Sequence, residues 1–187
     1  MVTLLLPGMD GTGRLFGRFL PLLDPALGGR VISYPMDRML GYDELLAGLE
    51  VPAERFCIVA ESFSGPLGLL LANKYKDRVR GLVLAASFVT SPTPLFARMA
   101  AAAGAPLFRV RLPDLALRLA MLGSDADDAE VRELRGALES VRPDVLAHRL
   151  DEVHHLGRAY GGDGRMGCVC PYPGVRYFSS RKGVLGY

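Results

Sequence analysis

Short apolar runs bounded by turn residues alternate along the first half of the chain with stretches whose apolar positions recur at helical spacing. Val2 to Leu6 is an apolar run stopped by Pro7-Gly8, the pattern of a buried strand. Gly8, Gly11 and Gly13 follow as a flexible turn, and Leu15, Phe19, Leu22 and Leu23 predict a helix over Arg14 to Leu23. Arg30 to Tyr34 reads as a second strand, Tyr42 to Leu49 as a short helix and Phe56 to Ala60 as a third strand. Pro66 to Tyr75 is almost wholly apolar, which predicts a buried helix, and Leu82 to Ala86 reads as a fourth strand. Parallel strands need crossover connections, and the helices supply them. The expected class is therefore α/β, a mostly parallel sheet with helices on both faces.

Beyond Phe88 the alternation stops. Pro92 and Pro94 break the chain. Leu95 to Ala103, Leu112 to Leu122, Asp127 to Val141 and Asp144 to Leu156 then predict four helices without an intervening strand, a lid or a second layer. Ser124 or Asp125 is the expected cap of the third. From Gly157 the periodicity fails, although Cys168-Val169-Cys170-Pro171 and Val175 to Phe178 have the composition of short strands. Residues 1–155 hold 29 Leu and 14 Gly, whereas residues 156–187 hold 2 Leu, 8 Gly and two of the three Cys. The reading thus divides the chain into a core over 1–90, a helical cap over 91–156 and an atypical tail over 157–187.

Composition narrows the class. Half the residues are hydrophobic and the net charge is +2, which excludes a disordered chain and leaves enough apolar mass for a core. The basic residues are scattered, so no nucleic-acid partner is expected. No segment has the length of an apolar membrane span. Three unevenly spaced cysteines make no disulfide framework, so a reducing, cytoplasmic setting is expected.

The chemistry-bearing stretch is Val59-Ala60-Glu61-Ser62-Phe63-Ser64-Gly65-Pro66. An apolar strand ends at Ala60 and a helix begins near Pro66, with Ser62 on the turn between them. Ala60 and Ser64 are the small residues two before and two after it. That is the layout of a nucleophile elbow, whose tight turn holds the serine oxygen clear of the sheet beside a helix N-terminus. Ser64 is disfavoured as the nucleophile, since Pro66 would then occupy the second small position. An acyl-transfer site also needs two donors for the oxyanion. The N–H of Phe63 is one candidate. The other is the N–H of Met9 in the loop Pro7-Gly8-Met9-Asp10-Gly11-Thr12-Gly13, with Gly8 letting the backbone turn. Asp10 either braces that loop through its side chain or is an ordinary turn aspartate. Glu61 stands at the edge of the site.

With both motifs in this order, each behind a strand and before a helix, the sequence resembles the α/β-hydrolase superfamily, in particular its compact bacterial members. The resemblance covers residues 2–90 and the helical block in outline. It implies Ser62 as nucleophile, Met9 and Phe63 as oxyanion donors, Gly8, Asp10 and Glu61 at the site edge, and the helices from Leu95 onward as a cap over an acyl-containing small molecule. It implies no cofactor and no metal.

The same resemblance implies a triad acid and, near the C-terminus, a histidine base. The histidines here are His148, His154 and His155, all within the helical block, and no strand ending in Gly-x-x-Asp supplies the acid. Three explanations are open: a chain truncated or frame-disrupted near residue 156, a non-catalytic relative, or a rewired triad using His154 or His155. The expected activity is weak or nil. A zinc site of His154, His155, Cys168 and Cys170 is disfavoured, because adjacent helical histidines point in different directions.

Overall fold

A computed structural model of the chain describes residues 1–88, 104–159 and 176–178. Its framework is a parallel sheet in the order β2-β1-β3-β4-β5. The strands are β1 (Val2–Leu6), β2 (Gly29–Val31), β3 (Phe56–Glu61), β4 (Val79–Ala85) and β5 (Arg176–Phe178). The parallel register sets Leu6 beside Ala60 and Glu61 beside Ala85. The chain therefore leaves β1, β3 and β4 at neighbouring points of one sheet edge, and the loops that follow them meet there. β5, from the tail, pairs parallel with β4. Cys168–Pro171 and the expected helix over Leu95–Ala103 lie outside the described residues.

Alternation along the strands builds the core. Leu4 and Leu6 of β1, Phe56, Ile58 and Ala60 of β3, and Leu82 and Leu84 of β4 share one buried cluster. Helices α1 (Tyr42–Gly48) and α2 (Gly65–Lys74) add Tyr42, Leu45, Leu67 and Leu71 to it. The close seat of α2 on the sheet depends on Gly68. A β-carbon there would stand 2.9 Å from that of Ala60 and 3.1 Å from Leu82.

The helix expected over Arg14 to Leu23 is instead two short 3₁₀ turns, Arg14–Gly17 and Leu20–Leu22. Its entry residue, Gly13, offers no side-chain cap, and Pro21 has no N–H to continue a ladder. The second strand is shorter than expected and ends at Val31, although the Ile32 N–H still reaches Leu5 O at 2.9 Å.

The second layer comprises α3 (Ala105–Arg109), α4 (Asp114–Leu117) with a wider turn over Arg118–Leu122, α5 (Asp128–Glu139) and α6 (Pro143–Ala159). α5 is capped by Asp127, not by Ser124 or Asp125. The Asp127 carboxylate accepts from Glu130 N at 2.7 Å and Glu130 returns the bond to Asp127 N at 2.8 Å, so one reciprocal pair satisfies two helix-end donors. Arg18 joins this end of α5 through Asp127, Glu130 and Glu133 at 3.2 to 3.8 Å. α6 enters the main core at Val153 and Leu156, while its first turns pack against Met9 and Phe108. Among the described residues no helix is long and apolar enough to cross a membrane.

Candidate active site

Ser62 follows β3 at φ +47°. A non-glycine residue pays about 1–2 kcal/mol in that region, so its surroundings must hold it there. Ser87 Oγ, at the end of β4, donates to Ser62 O at 2.5 Å. Tyr42 Oη donates to Phe63 O at 2.9 Å, with its ring stacked on Phe63 at 4.9 Å. Ser64 is fully buried, and its Oγ donates to Pro7 O. Because Ser64 has one hydroxyl proton and Pro7 O can only accept, the 2.6 Å contact between Ser64 Oγ and Tyr34 Oη is donated by the tyrosine. Burial pushes the Tyr34 phenol well above its ordinary pKa, which keeps that donor protonated. The residue that must be glycine is Gly65. A β-carbon there would lie 1.9 Å from Ser87 Oγ and 2.8 Å from Phe88 O.

The loop after β1 is held differently. Gly11 N donates to Gly8 O at 3.0 Å, closing a tight turn, and Tyr34 N donates to Gly11 O at 2.8 Å. The Asp10 carboxylate accepts from Thr12 N at 2.8 Å and also from the Thr12 hydroxyl. The left-handed glycines of this loop are Gly11 and Gly13, at φ +69° and +73°; Gly8 is not among them. The chain thus turns over Gly8–Gly11, with the left-handed conformation taken by Gly11 rather than Gly8. Across the loop lies Arg149 of α6, only 2 % exposed. Its Nη1 donates to Met9 O at 2.8 Å and Asp10 O at 2.9 Å, and its Nη2 donates to Pro35 O at 2.8 Å. Burial lowers the Arg149 pKa, but a guanidinium keeps its charge in proteins.

The site therefore brings Met9, Phe63 and Ser62 to one edge of the sheet. Among the described residues neither the Met9 nor the Phe63 backbone N–H is donated to a protein acceptor. Phe63 stands in the first turn after β3, where such donors are ordinarily free. The Glu61 and Asp10 carboxylates converge on Gly8, within 3.5 and 3.6 Å of where its β-carbon would stand. Burial, reinforced by the Asp10 charge, pushes the Glu61 carboxyl up to about 7, with the Gly8 N–H pulling the other way.

The histidines are placed elsewhere. All three lie on α6, and among the described residues none is hydrogen-bonded to Ser62. His155 Nδ1 turns back to its own helix, 2.9 Å from Asp151 O. With Asp43, Glu44 and Glu152 it lines a cavity of about 330 Å³ that does not include Ser62. The buried His148 Nε2 and His154 Nδ1 have no hydrogen-bond partner among the described residues. Nor do those residues contain a group of three or more His, Cys, Asp or Glu able to hold a metal; Cys168 and Cys170 lie outside them.

Four supporting residues escape the motif reading: Tyr34, Tyr42, Ser87 and Arg149. A signal existed for Arg149. Val145, Arg149, Val153 and Leu156 recur at spacings of four, four and three, so the arginine sits on a buried stripe.

No family model matches the chain, and no curated protein matches its sequence. Solved structures do. Residues over 97 % of this chain superpose on 74 % of AqdC, a protein described as recognising and ring-cleaving the Pseudomonas quinolone signal, with a TM-score of 0.71 and 20 % identity. MenH from S. aureus gives a TM-score of 0.60 at 14 % identity, over 83 % of this chain and 67 % of that one. A hydrolase from Pseudomonas aeruginosa gives 0.55 at 21 % identity, over 82 % and 63 %. The chain has the α/β-hydrolase fold.

Proposed function

We propose that the chain is a serine hydrolase of α/β-hydrolase type, acting on the carbonyl of an ester, thioester or amide. The observation that carries this is Ser62 at φ +47° behind β3, with undonated N–H groups at Met9 and Phe63 on the same edge. In this reading Ser62 Oγ attacks the carbonyl carbon. The carbonyl π electrons move to oxygen, and the Met9 and Phe63 N–H groups hold the resulting anion. The leaving group departs, and water then releases the acyl group from Ser62. An acceptor alcohol in place of water would make the same parts an acyltransferase. A serine nucleophile distinguishes this chemistry from the carboxylate nucleophile of a dehalogenase.

Attack requires a base for the Ser62 proton. Among the described residues no histidine contacts Ser62, so turnover by this chain is proposed to be weak. The same observation favours a second reading, a non-catalytic module that keeps the pocket for a small acyl-containing molecule. Solved AqdC structures hold a substrate and a product, so the fold accommodates ligands of that size. A reducing, cytoplasmic setting is proposed from the three unevenly spaced cysteines of the sequence.

A fluorophosphonate reagent separates the readings. Covalent labelling at Ser62 that disappears in Ser62→Ala supports the hydrolase. Absence of labelling at every pH tested between 6 and 9 leaves the binding module.

A further inference from the structure

We propose that Arg149 is a positioning residue that both fixes and polarises the Met9 oxyanion donor from helix α6. This deepens, and rests on, the reading of Ser62 as nucleophile. Arg149 Nη1 donates to Asp10 O at 2.9 Å, and that carbonyl shares a peptide with the N–H of Gly11. The Gly11 N–H donates to Gly8 O at 3.0 Å. The Gly8 carbonyl in turn shares a peptide with the N–H of Met9. The cation, two carbonyls and two N–H groups thus form one head-to-tail chain that ends on the Met9 N–H. Each link polarises the next, because hydrogen-bonded peptides reinforce one another's dipoles. The second Nη1 bond, to Met9 O at 2.8 Å, fixes the plane on the other side of Met9. Nη2 ties the assembly to Pro35 O, and the guanidinium lies 5.7 Å from the Tyr34 ring centre.

Two features set Arg149 apart from a structural staple. All its acceptors are main-chain carbonyls, and among the described residues it has no carboxylate within ion-pair distance. Its charge acts on the loop, the Asp10 carboxylate included. Gly11 is shaped for it as well, since a β-carbon there would lie 2.5 Å from Nη1.

The test uses the full chain as Arg149→Met, which keeps length and apolar packing, and Arg149→Lys, whose compact ammonium cannot span Met9 O, Asp10 O and Pro35 O together. Two readouts are taken: the rate of fluorophosphonate labelling at Ser62, and the amide resonance and hydrogen exchange of Met9 and Gly11. Labelling is expected to slow roughly ten-fold in Arg149→Met and less in Arg149→Lys, with half-saturating reagent concentration unchanged. In a third variant, Arg149→Ala, guanidinium ion at roughly tens of millimolar should restore part of the labelling rate together with the Met9 amide position. The Met9 amide should shift and exchange faster in Arg149→Met, yet stay in place in Ser62→Ala. An unchanged labelling rate, or an unmoved Met9 amide, in a folded variant overturns the proposal. If the wild type is not labelled, the hydrolase reading fails on its own, and the Met9 amide decides the clamp. Where Arg149→Met does not fold, Arg149→Lys carries the same measurements.

Discussion

The elbow at Glu61–Gly65 and the loop at Gly8–Gly13 leave adjacent parallel strands side by side, yet their supports lie at very different distances along the chain. The elbow is shaped by steric limits close to Ser62. Gly65 must clear Ser87 and Phe88, and Ala60 must clear Gly68. The loop has two left-handed glycines of its own, but its outward carbonyls are gathered by a guanidinium 139 and 140 residues away. A backbone strained by close packing keeps its shape through contacts that admit no substitute. A backbone held by a borrowed charge can be released by removing that charge. The contrast predicts that elbow changes lower stability, whereas loop changes lower reactivity.

The largest effect is expected at Gly65. Gly65→Ala forces a methyl into Ser87 Oγ and should cost about 3 kcal/mol, read as a fall in the denaturant midpoint. An unshifted midpoint would show that the elbow is not limited by packing. Ser64→Ala leaves Pro7 O and the Tyr34 hydroxyl buried without their partner, an expected loss of about 2 kcal/mol. That variant tests a side chain that ties the elbow to Pro7 at the mouth of the loop, and amide exchange should quicken on both sides of the bond.

A pH-dependent effect is expected at Glu61. Its carboxyl is raised from 4.5 to about 7, so the folded chain holds that proton more tightly than the unfolded chain. The associated stability is complete below about pH 4.5 and is lost as the pH rises through about 7. Glu61→Gln removes the titration. Measured against the wild type, the variant should therefore gain roughly 2–3 kcal/mol between pH 5 and pH 8. A difference that stays flat across that range would remove Glu61 from the buried pair with Asp10. The smallest effect belongs to Arg18→Ala. Its partners Asp127, Glu130 and Glu133 form an exposed network, and any shift in thermal midpoint should vanish in molar salt.

Local rules made the strands, the buried helix after Ser62 and the elbow readable. Each depends on residues within a few positions of one another. The serine turn needs small neighbours, and the buried strands need apolar runs. Reading failed where distant or subtle partners decide. Arg14 to Leu23 has helical spacing, but the missing cap at Gly13 and the proline at 21 left only single turns. The cap of α5 went to Asp127 because Glu130 can answer it, a reciprocity that Ser124 and Asp125 do not have. The loop glycines were visible, but the bonds that hold Asp10 O and Gly11 O come from Arg149 and Tyr34, residues remote in sequence. Arg149 itself was marked by its place on an apolar stripe. Only the fold shows what the stripe packs against.

The bond from Ser64 Oγ to Pro7 O spans 57 residues, the contact to Tyr34 spans 30, and the reach of Arg149 to Met9 spans 140. Closure entropy grows only slowly with length, so the reach of Arg149 costs about 1 kcal/mol more than the bond of Ser64. During synthesis the elbow leaves the ribosome with Pro7 and Tyr34 already made, while Arg149 arrives only after the second layer has emerged. In the proposed reading, reactivity at Ser62 would then wait on a helix made long after the serine itself.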